Sequence, residues 1–169
     1  MTEDLEARRG TVTREDDGRQ RVEFRRSWPD PIDDVWSALT EPDRLARWIG
    51  VYEGERRAGG TGTFVMTQEG ADAPGEPTTI LECDPPRRLV IEWVQQDSAN
   101  WRVDLDLWVE NGRTVLRFVQ FFPAGVDVTD MALGWHWYLD KLGGEVDGSP
   151  VPTDWDAFVA EVGPGYRPA

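Results

Sequence analysis

Trp101-Arg102-Val103-Asp104-Leu105-Asp106-Leu107-Trp108-Val109-Glu110-Asn111-Gly112-Arg113-Thr114-Val115-Leu116-Arg117-Phe118-Val119-Gln120-Phe121-Phe122 holds two alternating runs joined by one Asn-Gly pair. In the first run Trp101, Val103, Leu105, Leu107 and Val109 share one face, and Arg102, Asp104, Asp106, Trp108 and Glu110 the other. A period of two is the signature of a strand with one side buried and one side wet. Asn-Gly is the preferred pair for a tight type I′ turn, because both central residues need positive φ. The stretch therefore predicts a long β-hairpin in an antiparallel sheet, the kind that tolerates a solvated face.

Upstream, the same period runs back to Val51, broken by Gly59-Gly60, Pro74-Gly75, Asp84-Pro85-Pro86 and Asp97-Ser98. These turn signals divide the chain into strands near 51–56, 61–68, 78–83, 88–94, 101–110 and 113–122, a six-strand meander. Before it, Thr11 and Val12 lead into the turn-like Asp16-Asp17-Gly18, and Val22 to Arg26 alternates as a further strand. Between strand and meander lie two helix signals. Asp30-Pro31 reads as an N-cap and first-turn proline ahead of Ile32, Val35, Trp36 and Leu39. Thr40-Glu41-Pro42 opens a second short helix carrying Leu45, Trp48 and Ile49, which Gly50 should stop.

Downstream the period becomes helical from about 127 to 142. At about 100° per residue, Val128, Met131, Trp135, Tyr138, Leu139 and Leu142 fall in one apolar arc that a sheet could cover. Gly143-Gly144 is expected to end this helix. A short last helix at 153–162 offers Trp155, Phe158, Val159 and Val162, and Trp137, off the inner arc, is its expected docking partner. The class is α+β, with residues 1–9 as a disordered tail and 10–169 as a single domain.

The totals narrow the function. A length of 169 residues, 39% apolar and 30% charged, suits one domain with a real core, but nine tryptophans exceed what filling that core requires. A net charge of −14 opposes contact with phosphate backbones, so nucleic acid is not an expected partner. No apolar run is long enough to span a bilayer and the first ten residues are polar, so the expectations are no membrane insertion and a cytoplasmic location. Cys83 and His136 are the only residues of their types, which leaves no internal disulfide and no zinc site of the usual kind. No metal and no cofactor are assigned.

Three stretches resemble one family. Val35-Trp36-Ser37-Ala38-Leu39-Thr40-Glu41-Pro42 with Leu45 and Trp48 looks like the opening helical motif of the START-like superfamily, and in particular of the branch related to the activator of the large heat-shock chaperone's ATPase, the AHSA type. Asp84-Pro85-Pro86-Arg87-Arg88-Leu89-Val90-Ile91-Glu92-Trp93 resembles that branch's proline turn and Trp-ended strand. Gly134-Trp135-His136-Trp137-Tyr138-Leu139-Asp140-Lys141-Leu142 is similar to its long helix. The resemblance covers roughly residues 10–162 and implies the helix-grip fold: a curved antiparallel sheet of about seven strands wrapped around the C-terminal helix, with two short helices after the first strand. It also implies an internal cavity, and members of the superfamily variously bind lipids, sterols, polyketides or hormones, catalyse cyclisation or hydrolysis, or assist chaperones.

On that basis the cavity lining is expected to be Trp48, Phe64, Met66, Ile91, Trp93, Leu105, Phe118, Gln120, Met131, Trp135 and Tyr138. The same residues could instead fill a plain core, and periodicity does not separate the two. Gln120 interrupts the apolar face Leu116, Phe118, Phe122, so its amide must meet backbone groups, strand-end water or a ligand. His136 has no nucleophile or orienting carboxylate at useful spacing and reads as structural. Cys83 reads as a small strand residue. Gly59-Gly60-Thr61-Gly62-Thr63 lacks the ending of a phosphate loop and reads as a turn. Asp104, Asp106 and Glu110 share their face with Arg102 and read as solvated charge. The expected function is non-catalytic binding of a hydrophobic or aromatic small molecule by a monomer or homodimer; a cyclase- or hydrolase-like enzyme and a chaperone cofactor are the alternatives.

Overall fold

The computed structural model describes residues 2–70, 72–95 and 99–166. Helix α1 (Thr2–Arg8) leads into strands β1 (Thr11–Arg14) and β2 (Gln20–Trp28), then helices α2 (Ile32–Thr40) and α3 (Pro42–Trp48). The meander follows as β3 (Val51–Gly54), β4 (Thr61–Val65), β5 (Gly75–Asp84), β6 (Arg88–Trp93), β7 (Trp101–Glu110) and β8 (Arg113–Phe122). Helices α4 (Thr129–Asp147) and α5 (Trp155–Val162) complete the order. The hairpin turn forms as read: Asn111 and Gly112 take φ of 52° and 74°, and Glu110 pairs with Arg113. The Asp97-Ser98 turn signal lies outside the described residues.

One open antiparallel sheet results, in the order β1-β2-β8-β7-β6-β5-β4-β3. Helices α2 and α3 explain this order. They carry the chain from β2 to the far edge, so the meander can run back until β8 closes against β2, with Val22 opposite Gln120 and Phe24 opposite Phe118. A register slip between Ile80 and Glu82 marks a bulge in β5, which bends a strand and sharpens its twist. Helix α4 lies on the inner face, where Leu139 and Leu142 are buried with Phe24, Leu116 and Phe118. This is the α+β helix-grip architecture.

The described sheet has eight strands, close to the seven or so expected, and the added one comes from Thr11–Arg14 folding back on 20–23 as an edge hairpin around Asp16-Asp17-Gly18. Thr2–Arg8 is helical, Leu5 packs on the core, and Arg8 reaches Asp140 of α4 at 2.6 Å. Two expectations need correction. At α2 the cap moves by one residue, with Pro31 at the N-cap in extended conformation and no side chain capping it. Gly143-Gly144 does not end α4. The helix continues to Asp147 and stops at Gly148, whose φ of 76° supplies the left-handed turn. The two glycines serve packing instead, since a Cβ on Gly144 would sit 2.2 Å from Val151 and one on Gly143 would touch Trp28 at 3.6 Å. The last helix docks on Trp137 as expected, with Trp155 and Phe158 at 5.3 and 5.2 Å between ring centroids.

Candidate ligand cavity

Between α4 and the sheet, on the side covered by α2 and α3, lies a cavity of about 330 Å³. The sheet contributes Phe64, Ile80, Leu89, Ile91, Trp93, Val103, Leu105 and Phe118; α4 contributes Trp135 and Leu139; the two short helices contribute Trp36, Leu39, Leu45 and Trp48.

The aromatic groups form a fixed cage. Phe64 stands edge-on to Trp93 at 5.5 Å and 88°, Trp93 lies 5.9 Å from Trp135, and Phe118 lies 4.7 Å from Trp135. Such offset and edge contacts follow the ring quadrupoles and hold planar groups in place. Two indole N–H groups are pinned: Trp48 donates to the Ala38 carbonyl at 2.8 Å and Trp135 donates to Gln120 Oε1 at 2.7 Å. The Trp93 indole nitrogen and Gln120 Nε2 are buried with no hydrogen-bond partner among the described residues.

Polar groups line it too: Thr78 of β5 is buried, while Thr40, Glu41 and Arg56 lie at an exposed rim. Arg56, after β3, donates to the Thr40 carbonyl at 2.9 Å and stands 3.5 Å from the Glu41 carboxylate, so the guanidinium joins the loop to the α2–α3 corner. Pro85, Tyr52 and Cys83 complete this end. Burial pushes the Cys83 thiol up, and Asp84 adds to the effect against Arg56, which leaves it in its thiol form at neutral pH.

Of the expected lining, Trp48, Phe64, Ile91, Trp93, Leu105, Phe118 and Trp135 reach the cavity, and Met66, Gln120, Met131 and Tyr138 do not. β4 ends at Val65, so Met66 leaves the inward alternation and caps a single 3₁₀ turn. Gln120 sits beneath Trp135. Met131 belongs to the first turn of α4, and Tyr138 points to that 3₁₀ turn, donating to Glu69 at 3.0 Å. Val103 and Leu139 were legible from face parity and helical spacing as inner residues, but nothing local marks which inner residues meet space and which meet each other. The rim residues Thr40, Glu41 and Arg56 carry no periodic signal.

His136 is fully buried among Phe24, Phe158 and Tyr166 and does not line the cavity. Its Nδ1 lies 2.8 Å from the Tyr166 hydroxyl, which itself accepts from the Gly10 N–H at 2.7 Å. With that N–H accepted, the hydroxyl proton is free to go to Nδ1, which puts the imidazole proton on Nε2, 3.6 Å from Asp140. Desolvation pushes the His136 pKa down to about 3; Asp140 opposes this, while Arg26, Arg8 and Arg9 reinforce it. On the outer face Arg88 bridges Asp104 and Asp106 at 2.8 and 3.0 Å. Burial works to raise the Asp104 carboxyl, and Arg102 and Arg88 outweigh it, so the pair of aspartates is a strand-joining ion network. Among the described residues no group of three His, Cys, Asp or Glu side chains could hold a metal ion, and no helix is long and apolar enough to cross a membrane.

A long helix gripped by an open antiparallel sheet, with two short helices over a cavity, defines the START-like class. The chain belongs to the family described as activator of Hsp90 ATPase homolog 1-like protein, whose model matches residues 30–147. Among solved structures, it is similar to CalU16 from Micromonospora echinospora, 27% identical over 93% of this chain and 92% of that one, with a TM-score of 0.72. It is also similar to the protein encoded by gene BPP1335 from Bordetella parapertussis, 27% identical over 93% and 88% of the two chains, with a TM-score of 0.70. DynU16, of the dynemicin biosynthetic locus, shares the fold at 24% identity and a TM-score of 0.66, over 79% of this chain and 50% of its own. No curated protein matches the chain.

Proposed function

We propose that this protein binds a hydrophobic, aromatic small molecule in the space between Trp48, Phe64, Trp93, Phe118 and Trp135, and does so without chemical turnover. The observation that carries the reading is the cavity itself: about 330 Å³, walled mainly by aromatic and aliphatic groups. A volume of this order suits a compact two- to four-ring compound. Membership of the family supports small-molecule binding, while the class of ligand comes from the cage.

The same geometry argues against the enzyme alternative. His136, the residue best suited to proton transfer near neutral pH, is engaged with Tyr166 behind α4, and the thiol on the cavity wall has its pKa raised. The family description names a chaperone activator, but the feature that stands out in this chain is an interior site, and we assign no chaperone role.

The test is a panel of aromatic hydrocarbons, ketones and sterols followed by tryptophan fluorescence and thermal shift. Ligands that enter the cage should quench Trp93 and Trp135 and raise the melting temperature with concentration. A panel in which nothing quenches or stabilises rejects the reading.

A further inference from the structure

Among the described residues that line the cavity only Glu41 and Arg56 carry charge, and both are exposed to solvent. The two are not equivalent. Arg56 Nη2 donates to the Thr40 carbonyl at 2.9 Å, so the end of α2 holds the guanidinium in place. The Glu41 carboxylate stands 3.5 Å from the same nitrogen, does not cap α3, and accepts no hydrogen bond among the described residues. The fixed group at this end of the cavity is therefore the cation.

That cation is also unsaturated. Nη2 has two hydrogens and one goes to Thr40, while Nε and Nη1 donate to no group among the described residues. Whichever hydrogen Thr40 takes, one two-donor edge of the guanidinium stays open, and such an edge matches both oxygens of a carboxylate. A donor already held in place also loses little freedom when a ligand arrives. Glu41 does not block the position: a half-exposed pair at this separation contributes little, and its carboxylate turns to water when another takes its place.

We infer that the cavity takes aromatic acids, with the rings among Phe64, Trp93 and Trp135 and the carboxylate paired with Arg56 at the rim. This rests on the binding function proposed above and adds the charge of the ligand and its direction, rings inward and acid outward. The chain's net charge of −14 repels an anion at long range, so the preference comes from contact at Arg56 and not from steering.

Fluorene-2-acetate and fluorene-2-acetamide share rings and arm and differ in charge, so they are the probes, followed by tryptophan fluorescence at neutral pH. The acid should bind the wild-type protein about fivefold more tightly than the amide, the ratio expected for one partly exposed ion pair. Added salt should narrow the gap. Arg56→Gln, with cooperative unfolding confirmed, should bring the two affinities within about twofold of each other, and Arg56→Lys, which keeps the charge and loses the fork, should fall between. Equal affinities in the wild type, or a preference that survives Arg56→Gln, overturns the acid site while leaving hydrophobic binding intact. Tighter binding of the matching amine than of the amide gives the role to Glu41 and overturns it as well. Binding of none of these compounds, with the wider panel also silent, removes the cavity function and the acid site together.

Discussion

Trp135 of the long helix donates its indole N–H to the fully buried amide of Gln120 on β8, at 2.7 Å, and this bond ties the helix to the sheet beside the cavity. Phe118, two residues earlier on the same strand face, packs on the same indole at 4.7 Å. The helix is thus set at its height by one polar bond and one aromatic contact.

The first prediction concerns that bond. A double-mutant cycle of Gln120→Leu and Trp135→Phe should show a favourable coupling of about 1–2 kcal/mol in urea unfolding, since each single change strands the other's polar group in the interior. A coupling near zero would mean that the two groups are held by packing alone.

How much of this was visible in the sequence can be judged at the same two residues. Gln120 interrupts an apolar alternation and Trp135 lies in the centre of a helical stripe, so both read as inward-facing, and the hairpin turn at Asn111-Gly112 set the strand parity. Their pairing was not legible, because it depends on how far along the sheet the helix is laid. Nor were Arg56, Thr40 and Glu41 at the rim, which meet only because the β3–β4 loop folds toward the α2–α3 corner. Gly143-Gly144 misled for a related reason: as a local signal a glycine pair ends a helix, but here tertiary packing against Trp28 and Val151 uses the missing side chains.

The second prediction concerns the tie between α4 and the N-terminal segment. Asp140 accepts from Arg26 at 2.8 Å and from Arg8 at 2.6 Å, and the side chains of Arg26 and Asp140 are 6% and 8% exposed. Asp140→Asn leaves the buried Arg26 charge without its counter-ion, and should cost about 3 kcal/mol or more in denaturant unfolding. Asp17→Asn, at the exposed Arg19 pair, should leave the unfolding midpoint nearly unchanged.

The third prediction concerns the rim. The Arg56–Glu41 pair is half exposed on both sides, so it contributes little to global stability. Arg56→Ala should leave the unfolding midpoint nearly unchanged. If the rim guards the entrance, the same change should speed release of a bound aromatic ligand several-fold in stopped-flow tryptophan fluorescence; unchanged release would place the entrance elsewhere.

The last prediction follows from His136. In the folded chain its pKa is about 3 because burial excludes the charged form, whereas in the unfolded chain it returns to near 6.5. Between these values the unfolded state binds a proton that the folded state does not, so stability rises with pH across the interval and is fully present above about 6.5. Acidification works against the fold here, since protonated His136 would face Arg26, Arg8 and Arg9 with only Asp140 to offset them. By pH 4.5 the protein should have lost about 2–3 kcal/mol relative to pH 7.5 from this residue alone. His136→Gln should remove that slope while lowering stability at neutral pH, so plots of unfolding free energy against pH should converge as the solution becomes acidic. Parallel curves for the two proteins would mean that His136 titrates alike in the folded and unfolded chains, and that burial does not hold it neutral.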